Sequence, residues 1–296
     1  MAGRFGAVVT AMVTPFRDDD ERSLDLVRAR ELTRWLLDRG SASLVVAGTT
    51  GEGATLTDEE KVDLWRATVE AAEGRGQIIA NTGTYDTAHS IHLTKEAERL
   101  GCSAVLVVAP YYNKPPQAGL YEHFRSVAEA THLPVILYNI PGRTSVRIEN
   151  DTLLELAEIE NIVGVKDAVG DFNSTSELIA RAPSDFEVYS GDDLSTFAIV
   201  CLGGVGVIAV TSHLAGDRMA HMIDLVESGD VPGGRKIHQE LIPIYKGLFA
   251  TTSPILIKAA MEMIGQPVGP PRLPLVPATV EQVGALRRAM EDAGVL

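Results

Sequence analysis

The sequence predicts an α/β fold, a TIM (β/α)8 barrel with a C-terminal helical subdomain. Three observations point there. Eight apolar, β-branched runs recur at 7–13, 43–47, 77–81, 104–109, 134–139, 162–166, 187–190 and 206–210. Each is almost continuously hydrophobic, as expected for parallel strands buried on both faces. Helical stretches fill the gaps, giving a βαβα order within about 230 residues, the span of a barrel. A doubly wound sheet shares that order, and pattern alone leaves it open.

The helices announce themselves by caps and stripes. Thr57-Asp58-Glu59-Glu60 is a capping-box pattern opening a helix that carries Val62 and Trp65. Leu93, Ala97 and Leu100 share one helical face, and Gly101 follows as a stop. Further helices are expected at 173–180 and 213–226. Beyond Pro232 no run reads as a strand. Helices are expected at 236–249, 254–264 and 280–290, the last opened by a second capping box, Thr279-Val280-Glu281-Gln282. A Gly/Pro-rich connector occupies 265–277. The reading is a barrel with the active site over residues 1–230 and a helical subdomain over 231–296.

Composition narrows the function. The chain of 296 residues is 45 % hydrophobic, enough for a large core, and its 26 basic against 40 acidic residues give a formal charge of −14. Such a balance disfavours nucleic acid and anionic membrane surfaces as partners. Two cysteines, Cys102 and Cys201, with no CxxC, imply neither a disulfide framework nor a cysteine metal site. No stretch has the length of a membrane span, and the first residues lack a signal peptide's apolar core. A cytoplasmic protein is expected.

Chemistry should sit at the C-terminal ends of barrel strands. Reading those ends gives Gly48-Thr49-Thr50-Gly51-Glu52-Gly53, Pro110-Tyr111-Tyr112-Asn113, Tyr138-Asn139-Ile140-Pro141-Gly142-Arg143, Lys166, Ser190-Gly191-Asp192-Asp193 and Gly206-Val207-Ile208. Strand alternation puts Ile162, Gly164 and Lys166 on one face. A lysine buried on an apolar strand is costly as the ammonium, and the neutral amine attacks carbonyl carbon. Hydroxyls that move protons, an arginine that clamps a carboxylate and glycine turns that expose N–H groups complete a set for carbonyl chemistry on an anionic substrate. Each piece has a plainer reading alone: a strand-to-helix turn, core tyrosines, a surface arginine, or Asp192 and Asp193 capping the next helix.

Competing motifs fail. Gly204-Val205-Gly206-Val207-Ile208-Ala209 fits G-x-G-x-x-A, but it enters a strand instead of opening a helix, which argues against a dinucleotide site. His89 and His92 are three apart on a helix without HExxH or a cysteine or acidic partner in sequence, so no metal is expected. Lys258 reads as the polar face of a helix, and Lys61, Lys95 and Lys114 sit among polar residues. Lys166 is the strong Schiff-base candidate.

Taken together, these motifs resemble the dihydrodipicolinate synthase family of pyruvate-dependent class I aldolases, from Val13-Thr14-Pro15-Phe16 to Arg272-Leu273-Pro274-Leu275. The resemblance implies condensation of pyruvate with L-aspartate 4-semialdehyde to 4-hydroxy-tetrahydrodipicolinate, in lysine and diaminopimelate biosynthesis, without a cofactor or metal. It implies that Lys166 forms the Schiff base and that Thr49, Tyr138 and Tyr112 relay protons, with Tyr112 reaching in from a neighbouring subunit. Thr50 would hold the pyruvate carboxylate, and Arg143 the carboxylate of the second substrate. Gly191 and Ile208 would line the pyruvate pocket. The implied assembly is a homotetramer, a dimer of dimers. Another pyruvate aldolase or dehydratase acting on a sugar acid or keto acid is the nearest rival. A non-catalytic barrel that senses a small acid is a more distant one.

Two departures stand out. Ala209 follows Ile208 where many relatives carry serine. At the positions where some relatives bind lysine, this chain has Gly53, Asp58, Lys61, Tyr85 and His89. The asparagine and glutamate that would grip lysine's amino groups are missing, and Lys61 adds a like charge. Lysine at micromolar concentration is therefore expected to leave turnover unchanged; an initial-rate titration checks this, and half-inhibition in that range would refute it.

Overall fold

The computed structural model describes residues 3–296. All eight expected runs form strands: β1 (Val8–Ala11), β2 (Ser43–Val46), β3 (Gln77–Asn81), β4 (Ala104–Val108), β5 (Val135–Asn139), β6 (Ile162–Asp167), β7 (Glu187–Ser190) and β8 (Gly206–Ala209). They pair in sequence order, every pair parallel, and β8 returns to β1 to close the barrel. The doubly wound alternative is thereby excluded.

Helices α1 (Leu26–Leu37), α2 (Asp58–Ala72), α3 (Thr87–Arg99), α4 (Gln117–Ala128), α5 (Pro141–Thr144), α6 (Asn150–Ala157), α7 (Phe172–Arg181), α8 (Thr196–Cys201) and α9 (Ser212–Glu227) join or follow the strands. Three more, α10 (Val231–Leu248), α11 (Ile255–Met263) and α12 (Val280–Asp292), complete the chain. Both capping boxes form as expected, at Thr57/Glu60 and Thr279/Gln282. Helix α10 starts earlier than its apolar pattern suggests, because the Asp230 side chain accepts from the Gly233 N–H and Pro232 tolerates the first turn. No helix among the described residues is long and apolar enough to cross a membrane.

Closure sorts the apolar side chains into two compartments. A small cluster including Val9, Val45, Ile79, Leu106, Ile136 and Tyr189 fills the barrel interior. A larger one sets Val8, Leu44, Ile78, Val105, Leu137 and Val207 against the helix faces. Full burial of each such side chain is worth roughly 1.5–3 kcal/mol. Strand β6 breaks the simple alternation. Val135 pairs with Ile162 but Ile136 pairs with Gly164, so Val163 is an extra residue, a β-bulge. Val163 joins the interior while Ile162 and Val165 pack outside. The expectation that Ile162 shares a face with Lys166 is therefore wrong; the bulge turns the lower strand over and leaves Lys166 inside.

Two buried histidines fasten the outer layers. His213 Nδ1 lies 2.8 Å from the Val210 carbonyl and its Nε2 accepts the Val13 N–H at 3.2 Å, tying the end of β8 to that of β1. His123, on α4, holds Thr87 Oγ1 at 2.9 Å. Burial pushes both imidazoles from 6.5 down to about 4. The unfolded chain therefore binds protons between pH 6.5 and 4 that the folded chain refuses, and stability present above 6.5 is lost as pH falls. Unfolding free energy is expected to decline across that window, by about 3 kcal/mol per histidine, and the melting temperature with it. Calorimetry should find a shallower decline for His123→Phe.

Candidate active site

The site is built at the C-terminal ends of neighbouring strands. Tyr138, Lys166 and Tyr189 are register partners on β5, β6 and β7. Lys166 is 6 % exposed and its Nζ stands 4.3 Å above the Tyr138 ring. It makes no ion pair among the described residues, so no carboxylate competes for the amine. Backbone anchors hold the two strand ends. Asn139 donates through Nδ2 to the Ile148 carbonyl and accepts the Ile148 N–H, at 2.8 and 3.0 Å. The Asp167 carboxylate accepts from the Val169 N–H at 3.0 Å and the Thr175 hydroxyl at 2.5 Å.

Beside these strands opens a cavity of about 480 Å³, lined by Thr49 and Arg143 together with Asn81, Tyr111, Thr252 and Ser253. Residues beyond 230 thus share in the site. Arg143 follows Pro141 on the short α5 and makes no ion pair among the described residues, so its guanidinium is available to an anion. Thr49 is exposed on the lip and Thr50 is buried beside it. Ile208 belongs to the barrel interior. Gly191 lets backbone approach backbone: a Cβ there would lie 2.8 Å from Ala168 Cβ, and its N–H already donates to the Asp167 carbonyl. Its lack of a side chain therefore lets the end of β7 lie against Asp167 and Ala168.

Tyr112 is not brought to Lys166 within the chain. It is 92 % exposed, with a left-handed φ of +74°. Its neighbour Tyr111 turns inward instead, edge-on to Tyr85 at 5.5 Å between ring centres.

Several residues differ from their sequence reading. Lys258 is no polar-face lysine: it is 4 % exposed, with Nζ 2.6 Å from Glu52 Oε1. Lys61 is also buried, 3.6 Å from Asp58, and the same carboxylate receives His89 Nε2 at 2.8 Å. His89 therefore has an acidic partner in space, yet no metal-binding group of three or more His, Cys, Asp or Glu exists among the described residues. Asp192 holds the turn before the next helix, accepting the Ser195 N–H at 2.8 Å and the Ser195 hydroxyl at 2.6 Å, but it does not cap α8, whose N-cap is Ser195. Asp193 does not: buried, it accepts the Val210 and Thr211 N–H groups and pins the end of β8. Burial pushes its carboxyl upward, while the bonds from Thr211 and Val210 pull it back.

The sequence profile of the dihydrodipicolinate synthetase family matches residues 4–293. The chain belongs to this family. It is 50 % identical over 292 residues to the 4-hydroxy-tetrahydrodipicolinate synthase of Desulforudis audaxviator, covering 99 % of each. Among solved structures, it resembles a dihydrodipicolinate synthase from Bacillus anthracis at TM-score 0.94 and 46 % identity, over 98 % of each chain. The chloride-inhibited enzyme of Acinetobacter baumannii, complexed with pyruvate, is similar at TM-score 0.95 and 39 % identity, over 99 % of this chain and 100 % of that one.

Gly164 is the tightest point beside Lys166, since a Cβ there would lie 2.3 Å from the Glu187 carbonyl oxygen of β7. Gly164→Ala must therefore separate β6 from β7. A loss of roughly 1–3 kcal/mol in urea unfolding is expected, with activity reduced in the fraction that remains folded.

Proposed function

We propose that this chain is a 4-hydroxy-tetrahydrodipicolinate synthase, a lyase of lysine and diaminopimelate biosynthesis that joins pyruvate to L-aspartate 4-semialdehyde in the cytoplasm. The observation that carries the reading is a buried lysine without a counter-charge, packed on the Tyr138 ring near the end of β6. Thr49 and Arg143 line a cavity that opens past the end of β5 at Ile140, and neither Lys166 nor Tyr138 forms its wall. The family and the pyruvate complex of a relative support it.

The neutral amine of Lys166 attacks the pyruvate ketone. The resulting carbinolamine loses water to give an iminium, with protons passed by the Tyr138 and Thr49 hydroxyls. Removal of a methyl proton leaves an enamine, the iminium nitrogen acting as electron sink. The enamine carbon attacks the aldehyde of the second substrate, whose carboxylate Arg143 binds. That substrate's amine then displaces Lys166 and closes the ring, restoring the enzyme. Thr50 holds the pyruvate carboxylate, while Gly191 and Ile208 set the pocket wall. Tyr112 completes the relay from a neighbouring subunit of a homotetramer. The chemistry requires neither a metal nor a cofactor.

Borohydride with pyruvate is expected to trap the parent protein as a pyruvate adduct and to leave Lys166→Ala untouched, by intact mass. Turnover across aspartate semialdehyde, N-acetylmannosamine and glyceraldehyde should be confined to the first. Turnover only with a sugar aldehyde would reassign the second substrate, and an untrapped parent would overturn the aldolase reading.

A further inference from the structure

The loop from β2 to α2 carries Thr49 and Thr50 in an unusual backbone. Ala47 and Glu52 both adopt left-handed φ, +58° and +53°. L-residues pay for that conformation and keep it only where the surroundings over-determine it. Some of the restraint is local. Thr14 Oγ1 donates to the Gly51 carbonyl at 2.5 Å, and the Gly53 N–H donates to Gly48 at 3.0 Å. The rest comes from far along the chain. The Glu52 side chain is buried, with Oε2 accepting the Arg272 N–H at 2.8 Å and Oε1 lying 2.6 Å from Lys258 Nζ.

Lys258 is itself fixed. Its Nζ stands 4.3 Å over the Phe16 ring and donates to the Pro270 carbonyl at 3.3 Å. Arg272 lies against the same ring at 4.3 Å and forms two bonds with Glu60, at 2.7 and 2.6 Å. Burial pushes the Lys258 ammonium down to about 8, against the pull of Glu52, which leaves it charged at neutral pH. A buried ion pair adds little stability over apolar packing of equal volume, whereas it does fix the relative placement of the segments that carry its two charges. Here those segments are helix α11 and the loop that bears the site threonines.

We propose that the buried Glu52–Lys258 pair clamps residues 47–53 and so places Thr49 and Thr50 for pyruvate, making Lys258 a positioning residue. The proposal rests on the pyruvate reading given above. A misplacement of about 1 Å at a reacting group can lower rate a hundredfold, so a clamp far from Lys166 is felt at the site.

The test compares the full-length parent, Lys258→Met and Glu52→Gln/Lys258→Met by hydrogen exchange, melting temperature and pyruvate kinetics. Lys258→Met strands a buried carboxylate. Amides of 47–53 are expected to exchange about tenfold faster or more while strands β4 to β6 keep their protection, and KM for pyruvate to rise about tenfold with a smaller change in kcat. The double variant removes the stranded charge. Its melting temperature should recover, while the fast loop exchange and the raised KM persist. Recovery of KM together with melting temperature, or unchanged loop exchange in Lys258→Met, would overturn the proposal. Should Lys258→Met fail to fold, the uncharged double variant carries the comparison alone. Borohydride trapping of the parent separates the two readings: without it the pyruvate assignment falls, and the exchange data still decide the clamp.

Discussion

Closing eight parallel strands on themselves leaves each side chain only two destinations, the interior or the helix layer. A strand that must deliver a lysine to the interior at one end and bury an isoleucine under the helices at the other has to break alternation somewhere. Strand β6 does so with Val163, the residue that has no step to match on β5. Ile162 then seals the outer layer and Lys166 reaches the Tyr138 ring. Everything placed around Lys166 depends on that register. Gly164 lets β6 lie against the β7 backbone, while Asp167 and Asn139 fasten the strand ends that bring amine and phenol together.

The second theme is where the fold puts its buried charges. Removing one member of a buried pair costs about 3–5 kcal/mol because the other charge is left in low dielectric. Such groups are therefore not placed idly. Asp193 grips the backbone at the end of β8, and Glu52 grips Lys258 and the Arg272 N–H. In both cases the carboxylate holds a loop at the C-terminal face of the barrel. Lys166 is the exception, a buried lysine facing an aromatic ring and no acid. Among the described residues the other buried charges are paired or hydrogen-bonded, and the buried lysine without an acid is the nucleophile candidate.

Much of the fold was legible because it is written in local pattern. The eight strands and both capping boxes need only neighbours in sequence to declare themselves, and Lys166 was conspicuous as a charge closing an apolar run. What could not be read depends on partners distant in the chain. Lys258 looked solvent-facing because its helix neighbours say nothing of Glu52; Lys61 has its acid, Asp58, three residues away on α2, and what the local pattern hides is its burial. Asp193 and Asp192 are adjacent and chemically identical, yet only the fold tells which holds the turn at Ser195 and which pins β8. The bulge escaped for a different reason: Ile162-Val163-Gly164-Val165 is apolar throughout, and alternation cannot be counted where nothing alternates.

Tyr112 belongs with none of these groups. It is a large aromatic residue, 92 % exposed, held in a left-handed backbone that its own chain does nothing visible to reward. A φ above zero on a bulky residue costs of order 1–3 kcal/mol, and an exposed ring forgoes the burial that usually justifies a tyrosine. Both penalties are offset if the ring is received by another surface. Lys114, two residues on, is left-handed as well, so the turn as a whole is shaped to project. Tyr111 meanwhile anchors its base against Tyr85, and Asn113 donates to the Tyr85 carbonyl at 3.0 Å. A rigid base under a projecting ring is the arrangement a residue needs to act across an interface, as the assembly proposed for this chain requires.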